Sequence, residues 1–263
     1  MSFNSIRYQV TDQVALLTLN RPEVLNSFHR EMASEVQAAL EDIRDNEEVR
    51  AVLLTGEGRG FCAGQDLDAV VPKDGAPQPR LGDIVRDCYN PIVSAIRTIE
   101  KPFVAAVNGV AAGAGANLAF ACDLVLASDR ASFIQSFVHV GLIPDTGGTY
   151  FLPKLVGLQR ANALAMLGEK LSAEDAQALG LVYRVIPAEE LLSEAMALAT
   201  KLASLPTVGI GLTKRAFNAS FSNSLEHQLS LEEELQAAAG KTEDYQEGVS
   251  AFLEKRKPQF NGQ

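Results

Sequence analysis

The chain has 263 residues, of which 47% are hydrophobic, and it carries a formal net charge of −10 at pH 7. That length and apolar fraction suffice for a sizeable buried core. The acidic balance argues against a nucleic-acid-binding surface, which needs clustered Lys and Arg. The three cysteines form no CxxC pair, and the first residues lack the apolar stretch of a signal peptide. We therefore expect free thiols and a reducing, cytoplasmic setting.

Strands alternate with helices along the first half of the chain, which predicts an α/β architecture with parallel strands. The run 104–121 is apolar enough to raise a membrane-spanning interpretation, but Asn and Gly residues interrupt it, so a buried strand, turn and helix is favoured. The Pro- and Gly-rich segment 71–80 is expected to be a mobile surface loop, and long loops of this kind often cover sites. The patterns predict strands within 6–19 and at 51–54, 103–107, 124–127 and 131–133, and helices at 30–44, 81–99 and 112–121.

After residue 155 the pattern is almost entirely helical, with one late strand expected at 182–186. Ser172 precedes Glu174 and Asp175, as an N-cap residue would. Helices are expected near 188–204, 206–221, 224–239 and 243–255. We expect a core at 1–200 followed by a helical C-terminal segment at 201–263.

Two glycine-rich turns follow apolar strands, one in Gly60-Phe-Cys-Ala-Gly-Gln-Asp-Leu67 and one in Asn108-Gly-Val-Ala-Ala-Gly-Ala-Gly115. Such turns can aim backbone N–H groups at developing negative charge, so together they could form an oxyanion hole. The second turn does not have the GxGxxG spacing of a dinucleotide-binding fold. An equally open alternative is that its small residues only let a helix pack closely on a sheet.

Asp145 is the best single acid, since it lies between an apolar run and a glycine pair. Its carboxylate could cap the next helix or act as an acid/base in an apolar pocket, and the residues leave both open. Cys62 is interpreted as a buried inert thiol rather than a nucleophile, because no pattern nominates a histidine partner. The histidines lack metal-ligand spacing, so no metal site is expected. The basic run at 255–257 is favoured as a helix C-terminus over a phosphate contact.

These motifs together resemble the crotonase, or enoyl-CoA hydratase/isomerase, superfamily. The resemblance spans essentially the whole chain and includes Leu19-Asn-Arg-Pro-Glu-Val-Leu-Asn26, the two glycine turns, and Gly141-Leu-Ile-Pro-Asp-Thr-Gly-Gly148. It implies a spiral of ββα units with a helical C-terminal segment that builds trimers, often stacked as hexamers. It also implies an acyl-CoA substrate whose thioester oxygen accepts hydrogen bonds from the backbone N–H groups of Gln65 and Ala114.

The departures from the family pattern bear on the reaction. Hydratases of the family carry two glutamates, and their positions fall here on Asn117 and Phe137. Neither side chain can act as a general acid or base, so we do not expect simple hydration. Asp145 stands where isomerases of the family place a proton-shuttling carboxylate. Further matched segments, including Tyr89-Asn-Pro91 and 244–260, look like the subgroup of ring-1,2-epoxyphenylacetyl-CoA isomerases of phenylacetate degradation, which form oxepin-CoA and are linked to a later double-bond shift.

The resemblance also implies which residues bind the substrate. Phe137, Ile143 and the loop 71–80 would shape an aromatic acyl pocket, and Lys255 would reach CoA phosphates from its own or a neighbouring subunit. CoA enters as part of the substrate, and no other cofactor is expected. The residues expected to contact the substrate or CoA are Val24, Leu25, Ala63, Asp66, Leu67, Asn117, Phe137 and Lys255.

Three rival functions remain at this point. A straight-chain Δ3,Δ2-enoyl-CoA isomerase would use the same Asp145. An aromatic acyl-CoA dehalogenase would need a further activating base, for which the sequence offers no candidate. A non-catalytic CoA- or RNA-binding scaffold is disfavoured by the acidic charge and by the carboxylate beside two oxyanion turns.

Overall fold

The computed structural model describes residues 3–71 and 79–263 of the chain. The expected loop at 71–80 falls largely on residues 72–78, so that prediction lies outside the described residues.

Strands and helices alternate through the first two thirds of the chain, and helices dominate the last third. In the described part, the strands are β1 (Ile6–Thr11), β2 (Val14–Leu19), β3 (Ala51–Gly56), β4 (Gly60–Cys62), β5 (Phe103–Val107), β6 (Val110–Ala112), β7 (Leu124–Ser128), β8 (Ser132–Ile134), β9 (Lys170–Ser172) and β10 (Arg184–Ile186). The helices there are α1 (Arg30–Asp45), α2 (Leu81–Ile84), α3 (Asn90–Thr98), α4 (Ala114–Ala121), α5 (Gly148–Val156), α6 (Leu158–Leu167), α7 (Ala173–Ala178), α8 (Leu191–Ala203), α9 (Thr207–Ser220), α10 (Leu225–Ala239) and α11 (Glu243–Glu254).

The strands form two sheets whose topology confirms the expected spiral of ββα units. A six-stranded sheet has the order β1-β2-β3-β5-β7-β10, and a four-stranded sheet has the order β4-β6-β8-β9. The strand pairs β3/β4, β5/β6 and β7/β8 each give one strand to each sheet before the chain turns into helix. Pairing is parallel except in β1–β2 and β8–β9, as expected for an α/β fold.

Both faces of the large sheet are covered, which explains why its central strands are mostly apolar. Along β3, Val52 and Leu54 face a large core shared with α1, α3 and α4, whereas Ala51 and Leu53 face a second core shared with α8. Alternate residues of a strand point to opposite faces, so a strand buried on both sides is apolar at nearly every position. The exception in β3 is Thr55, whose hydroxyl donates to the Ala106 carbonyl at 2.8 Å. Helix α8 therefore belongs to the layered core, close to the expected boundary at residue 200.

Three expectations about elements were wrong in detail. The helix expected at 112–121 begins at Ala114, because residues 110–112 pair with β4 and β8 as β6. A second late strand, β9, pairs antiparallel with β8 and was not expected. The helix expected at 81–99 contains a π-helical turn at Val85–Tyr89 between α2 and α3.

The apolar run 104–121 forms β5, β6 and α4, as the favoured interpretation required. Among residues 3–71 and 79–263, no single helix is long and apolar enough to cross a membrane, and one pair, α8 and α9, meets the criteria of length and composition only as a pair bent by 101°. Ser172 caps α7 by accepting a hydrogen bond from the Asp175 N–H, as its sequence context indicated.

Candidate active site

The two glycine-rich turns lie directly against each other. A Cβ atom built at Gly64 would be 2.9 Å from the Ala112 carbonyl oxygen and 3.5 Å from the Ala114 nitrogen. A Cβ at Gly115 would overlap the Cys62 carbonyl oxygen. Only glycine allows backbones to approach this closely, and Gly64 also has a positive φ of 91°. Glycine at these two positions thus brings Gln65 and Ala114 to neighbouring places in space.

Gln65 forms an isolated parallel bridge with Phe28. The bridge uses the groups on either side of Gln65, since the Phe28 N–H donates to the Gly64 carbonyl at 2.7 Å and the Asp66 N–H donates to the Phe28 carbonyl at 2.8 Å. In a parallel bridge of this kind, the N–H of the central residue points away from its partner. The Gln65 N–H therefore faces away from Phe28.

Ala114 is the first residue of α4, where a backbone N–H has no acceptor within its own helix. Its N–H group lies at the positive end of the helix dipole. The arrangement fits two N–H donors on adjoining turns. The oxyanion role of Gln65 and Ala114 stays a prediction.

Asp145 lies in the loop between residues 136–140 and α5, and its main chain is fixed from two sides. Its carbonyl oxygen accepts hydrogen bonds from the Asn117 Nδ2 and the Gly148 N–H, both at 2.8 Å. Its carboxylate accepts a hydrogen bond from the Thr146 hydroxyl at 2.7 Å. Burial raises the pKa of the Asp145 carboxyl, although the Thr146 hydroxyl opposes that shift.

The helix-cap alternative for Asp145 is not supported. The N-cap residue of α5 is Gly147, and no side chain caps this helix in the described structure. The Asp145 carboxylate is instead a partly buried acid with an elevated pKa, which is the environment expected of an acid/base group.

Asn117 stands on α4 one turn beyond Ala114 and is almost fully buried. Its Oδ1 accepts a hydrogen bond from Gln135 Nε2 at 2.9 Å, while its Nδ2 donates to Asp145. Both ends of this amide are thus occupied, and Asn117 connects α4 to the loop that carries the acid. Phe137 is also buried, and its ring lies beside Gly113, 3.6 Å from where a Cβ would stand.

Tyr89 is bonded to the side chain of Gln65 and was not expected from the sequence as a functional candidate. Its hydroxyl donates to Gln65 Oε1 at 2.8 Å. Burial is the main cause that raises the pKa of the Tyr89 phenol, and the negative charge of Asp145 adds to the shift, so the phenol stays protonated at neutral pH. Tyr89 ends the π-helical turn. No hydrophobic periodicity marks such a turn, so the turn could not be predicted from the sequence.

The residues expected around CoA divide into a group that the structure brings together and one that it leaves apart. The Ala63 N–H donates to the Leu25 carbonyl at 2.9 Å, which joins segment 24–28 to segment 63–67. Asp66 forms an ion pair of 2.9 Å with Arg21. Val24 and Leu67 are exposed beside this junction.

Lys255 lies exposed at the end of α11 in a left-handed conformation with a φ of 57°. Its N–H donates to the nearby Phe252 carbonyl. Ile143, expected in the acyl pocket, is 77% exposed. Contacts of these two residues with substrate stay predictions.

Cys62 is fully buried, and burial raises the pKa of its thiol to about 12. A thiol that stays protonated at neutral pH is a poor nucleophile, which supports the inert interpretation. Within residues 3–71 and 79–263, no three His, Cys, Asp or Glu side chains form a group that could hold a metal ion.

Comparison with known proteins identifies the family. The family model for enoyl-CoA hydratase/isomerase matches residues 9–263. The chain is 49% identical over 249 residues to the 1,2-epoxyphenylacetyl-CoA isomerase of Escherichia coli (strain K12), covering 95% of both chains. It is 45% identical over 263 residues, and over the full length of both, to a probable enoyl-CoA hydratase of Rhodobacter capsulatus.

A solved structure agrees with these sequence matches. The crystal structure of a putative enoyl-CoA hydratase from Streptomyces coelicolor A3(2) superposes with a TM-score of 0.93 at 37% identity, covering 100% of this chain and 96% of that one. Relatives with both hydratase and isomerase names match this chain over nearly its whole length. The chain belongs to the enoyl-CoA hydratase/isomerase family, the crotonase superfamily.

Proposed function

We propose that the chain is an acyl-CoA isomerase that converts ring-1,2-epoxyphenylacetyl-CoA to oxepin-CoA. The observation that carries this proposal is the setting of Asp145, a partly buried carboxyl with an elevated pKa whose main chain is bonded to α4, the helix that begins at the second glycine-rich turn. The relative named 1,2-epoxyphenylacetyl-CoA isomerase, at 49% identity, supports the choice of acyl group.

In the proposed mechanism, the thioester oxygen accepts hydrogen bonds from the N–H groups of Gln65 and Ala114. These donors stabilise the enolate that forms when the Asp145 carboxylate removes a proton from the carbon next to the carbonyl. The protonated Asp145 then returns the proton to a ring carbon as the epoxide-bearing ring opens to the oxepin. Substrate and product are isomers, so the reaction needs no oxidant or reductant and consumes no water. CoA takes part only as the carrier of the acyl group.

Hydration is the less favoured reaction because water addition generally uses two acid/base groups. Asn117 and Phe137 occupy the positions where family hydratases carry glutamates, and neither titrates usefully. The Asn117 amide already bonds Gln135 and the Asp145 backbone. A single carboxylate is sufficient to move a proton between two carbons of one enolate.

The test is turnover of ring-1,2-epoxyphenylacetyl-CoA, made in situ by its epoxidase and followed by chromatography with mass and absorbance detection. A product of unchanged mass with an oxepin spectrum is the expected result. Asp145→Asn should lower turnover by at least about a thousandfold while CoA-thioester binding changes little, because the amide cannot carry the proton. Near-wild-type turnover by this variant would overturn the assignment of Asp145.

The same assay includes 3-enoyl-CoA and 2-enoyl-CoA of straight chain. Brisk isomerisation of the 3-enoyl substrate without conversion of the epoxide would assign the protein as a Δ3,Δ2-enoyl-CoA isomerase that uses the same Asp145. Water addition to the 2-enoyl substrate at a comparable rate would make it a hydratase.

We further propose a cytoplasmic homotrimer, or a hexamer of two trimers. Large apolar side chains on α10 and α11 are exposed in the single chain, among them Leu225, Phe252 and Leu253 at 74–83%. Apolar surface of this kind usually marks a protein interface. Light scattering coupled to size-exclusion chromatography distinguishes monomer, trimer and hexamer directly.

A further inference from the structure

The side chain of Gln65 is held by three hydrogen bonds, although the proposed mechanism uses only its backbone. Its Nε2 donates to the Phe28 carbonyl at 2.9 Å and to the Asp66 carbonyl at 3.1 Å. Its Oε1 accepts from the Tyr89 hydroxyl at 2.8 Å. Carbonyl oxygens only accept, so Nε2 must face them, Oε1 must face Tyr89, and the phenol must be the donor.

These bonds fix the peptide whose N–H would hold the thioester oxygen. The Phe28 carbonyl receives both the Gln65 side chain and the Asp66 N–H, so the turn is fastened to the segment before α1 on one side. Tyr89 supplies the fastening on the other side. Because the side-chain amide of Gln65 is anchored from both directions, its backbone has little freedom to rotate the backbone N–H away from the site.

Tyr89 is itself rigidly placed. Its side chain is 4% exposed, and its ring packs on Phe28 with centroids 5.7 Å apart. It lies at the end of the π-helical turn that interrupts the helix formed by residues 81–98. Such turns are rare and occur frequently at functional sites. The extra residue of the turn shifts the helical register at Tyr89.

We propose that Tyr89 is a positioning residue of the isomerase: its hydroxyl, through the Gln65 side chain, holds the Gln65 N–H in the orientation that stabilises the enolate. This inference rests on the proposed function, because it assigns Tyr89 to the same oxyanion hole. Tyr89 acts through Gln65 and not on the substrate, so its contribution belongs to the transition state and not to CoA binding.

The test compares Tyr89→Phe, which removes one oxygen atom, with Tyr8→Phe as a matched control. The Tyr8 hydroxyl donates to Asp42 at 2.6 Å, outside the site. Tyr89→Phe should lower kcat about tenfold and leave KM within about twofold, because a small displacement of an oxyanion donor weakens transition-state binding. Tyr8→Phe should leave both unchanged.

A double-mutant cycle shows whether Tyr89 acts through Gln65. Gln65→Ala keeps the backbone N–H but removes the side-chain bonds, and Gln65→Met replaces it if the alanine variant is unstable. In the Gln65→Ala or the Gln65→Met background, Tyr89→Phe should have no further effect on kcat. If Tyr89→Phe lowered kcat by the same factor in that background as in the wild type, the proposal would be overturned, since Tyr89 would then act independently of Gln65.

A binding measurement separates this inference from the proposed reaction. A 3-oxoacyl-CoA can bind as its enolate, whose absorbance reports the oxyanion hole without turnover. Tyr89→Phe should lower the enolised fraction about tenfold relative to Tyr8→Phe, while binding of free CoA is unchanged.

Enolate binding by a protein that does not convert the epoxide would overturn the proposed reaction and leave the positioning role standing. Identical enolate binding by the two variants would overturn the positioning role alone, and a wild-type protein that binds no enolate would overturn both.

Discussion

At the scale of single residues, the chemistry depends on how strongly Asp145 holds its proton. Burial raises the pKa of its carboxyl, and the hydrogen bond from the Thr146 hydroxyl works in the opposite direction. Asp145 must be ionised to remove the substrate proton. Activity should therefore fall as the pH falls through the elevated pKa, and kcat/KM should show an acid limb above the ordinary range of an aspartate, which is about 3.9.

Thr146→Val should move that acid limb to higher pH by about one unit. The valine keeps the shape and β-branching of threonine but removes the hydroxyl that stabilises the carboxylate, so the pKa rises further. The measurement is kcat/KM against pH. Thr146→Ser keeps a hydroxyl and serves as the control, with its limb near that of the wild type. A limb that moves to lower pH in the valine variant would contradict the assigned direction.

At the scale of elements, the site depends on how closely α4 approaches β4. Gly115→Ala should lower both kcat and stability, because the new Cβ would overlap the Cys62 carbonyl and push Ala114 away from Gln65. Overpacking of this kind costs about 1–3 kcal/mol. We expect a fall in the urea midpoint together with a loss of about tenfold or more in kcat.

Gly209→Ala in α9 is the matched control for this glycine. Nothing lies within 4 Å of a Cβ built there, and the residue is inside a helix. Alanine should raise the free energy of unfolding by about 0.5–1 kcal/mol there and leave kcat unchanged. If Gly115→Ala and Gly209→Ala changed kcat and the free energy of unfolding equally, the close contact of Gly115 with the Cys62 carbonyl would not be required for activity or stability.

The elements that the sequence predicts well are those with a long hydrophobic pattern, such as α1 and β5. The short strands β6 and β9 escape prediction because three residues carry too little periodicity. Their strand conformation depends on pairing with distant segments, β4 and β8 for β6, and β8 for β9. In the candidate site, Gln65, Ala114 and Asp145 are found by motif, since each stands in a glycine-rich turn. Tyr89 is not, because its role depends on a π-helical turn and on a hydrogen bond across 24 positions of the chain.

At the scale of the whole molecule, buried cations attach the helical C-terminal segment to the core. Arg50, the residue before β3, donates to the Thr207 hydroxyl and to the carbonyls of Leu205 and Phe260. Lys214 on α9 is almost fully buried and donates to Asp123 at 2.8 Å. Removing the acceptor of such a cation leaves a buried charge uncompensated, which is far more costly than losing an exposed ion pair.

Asp123→Asn should therefore lower the free energy of unfolding by about 3–5 kcal/mol. The Asp123 carboxylate also accepts from Arg97 at 3.0 Å and from the Phe103 N–H at 2.9 Å, so the uncharged amide would face several donors with too few acceptors. The control is Glu100→Gln, which breaks an exposed ion pair with Arg215 and should cost less than about 1 kcal/mol.

The comparison is made by urea unfolding at one fixed protein concentration, because assembly of the C-terminal helices would also contribute to the measured stability. Equal midpoints for the two variants would mean that the C-terminal segment is held by apolar packing alone. A large loss confined to Asp123→Asn would instead place the attachment of that segment at this buried charge cluster. Proteolysis of the Asp123 variant should then begin within residues 201–263, because that segment would detach before the sheets unfold.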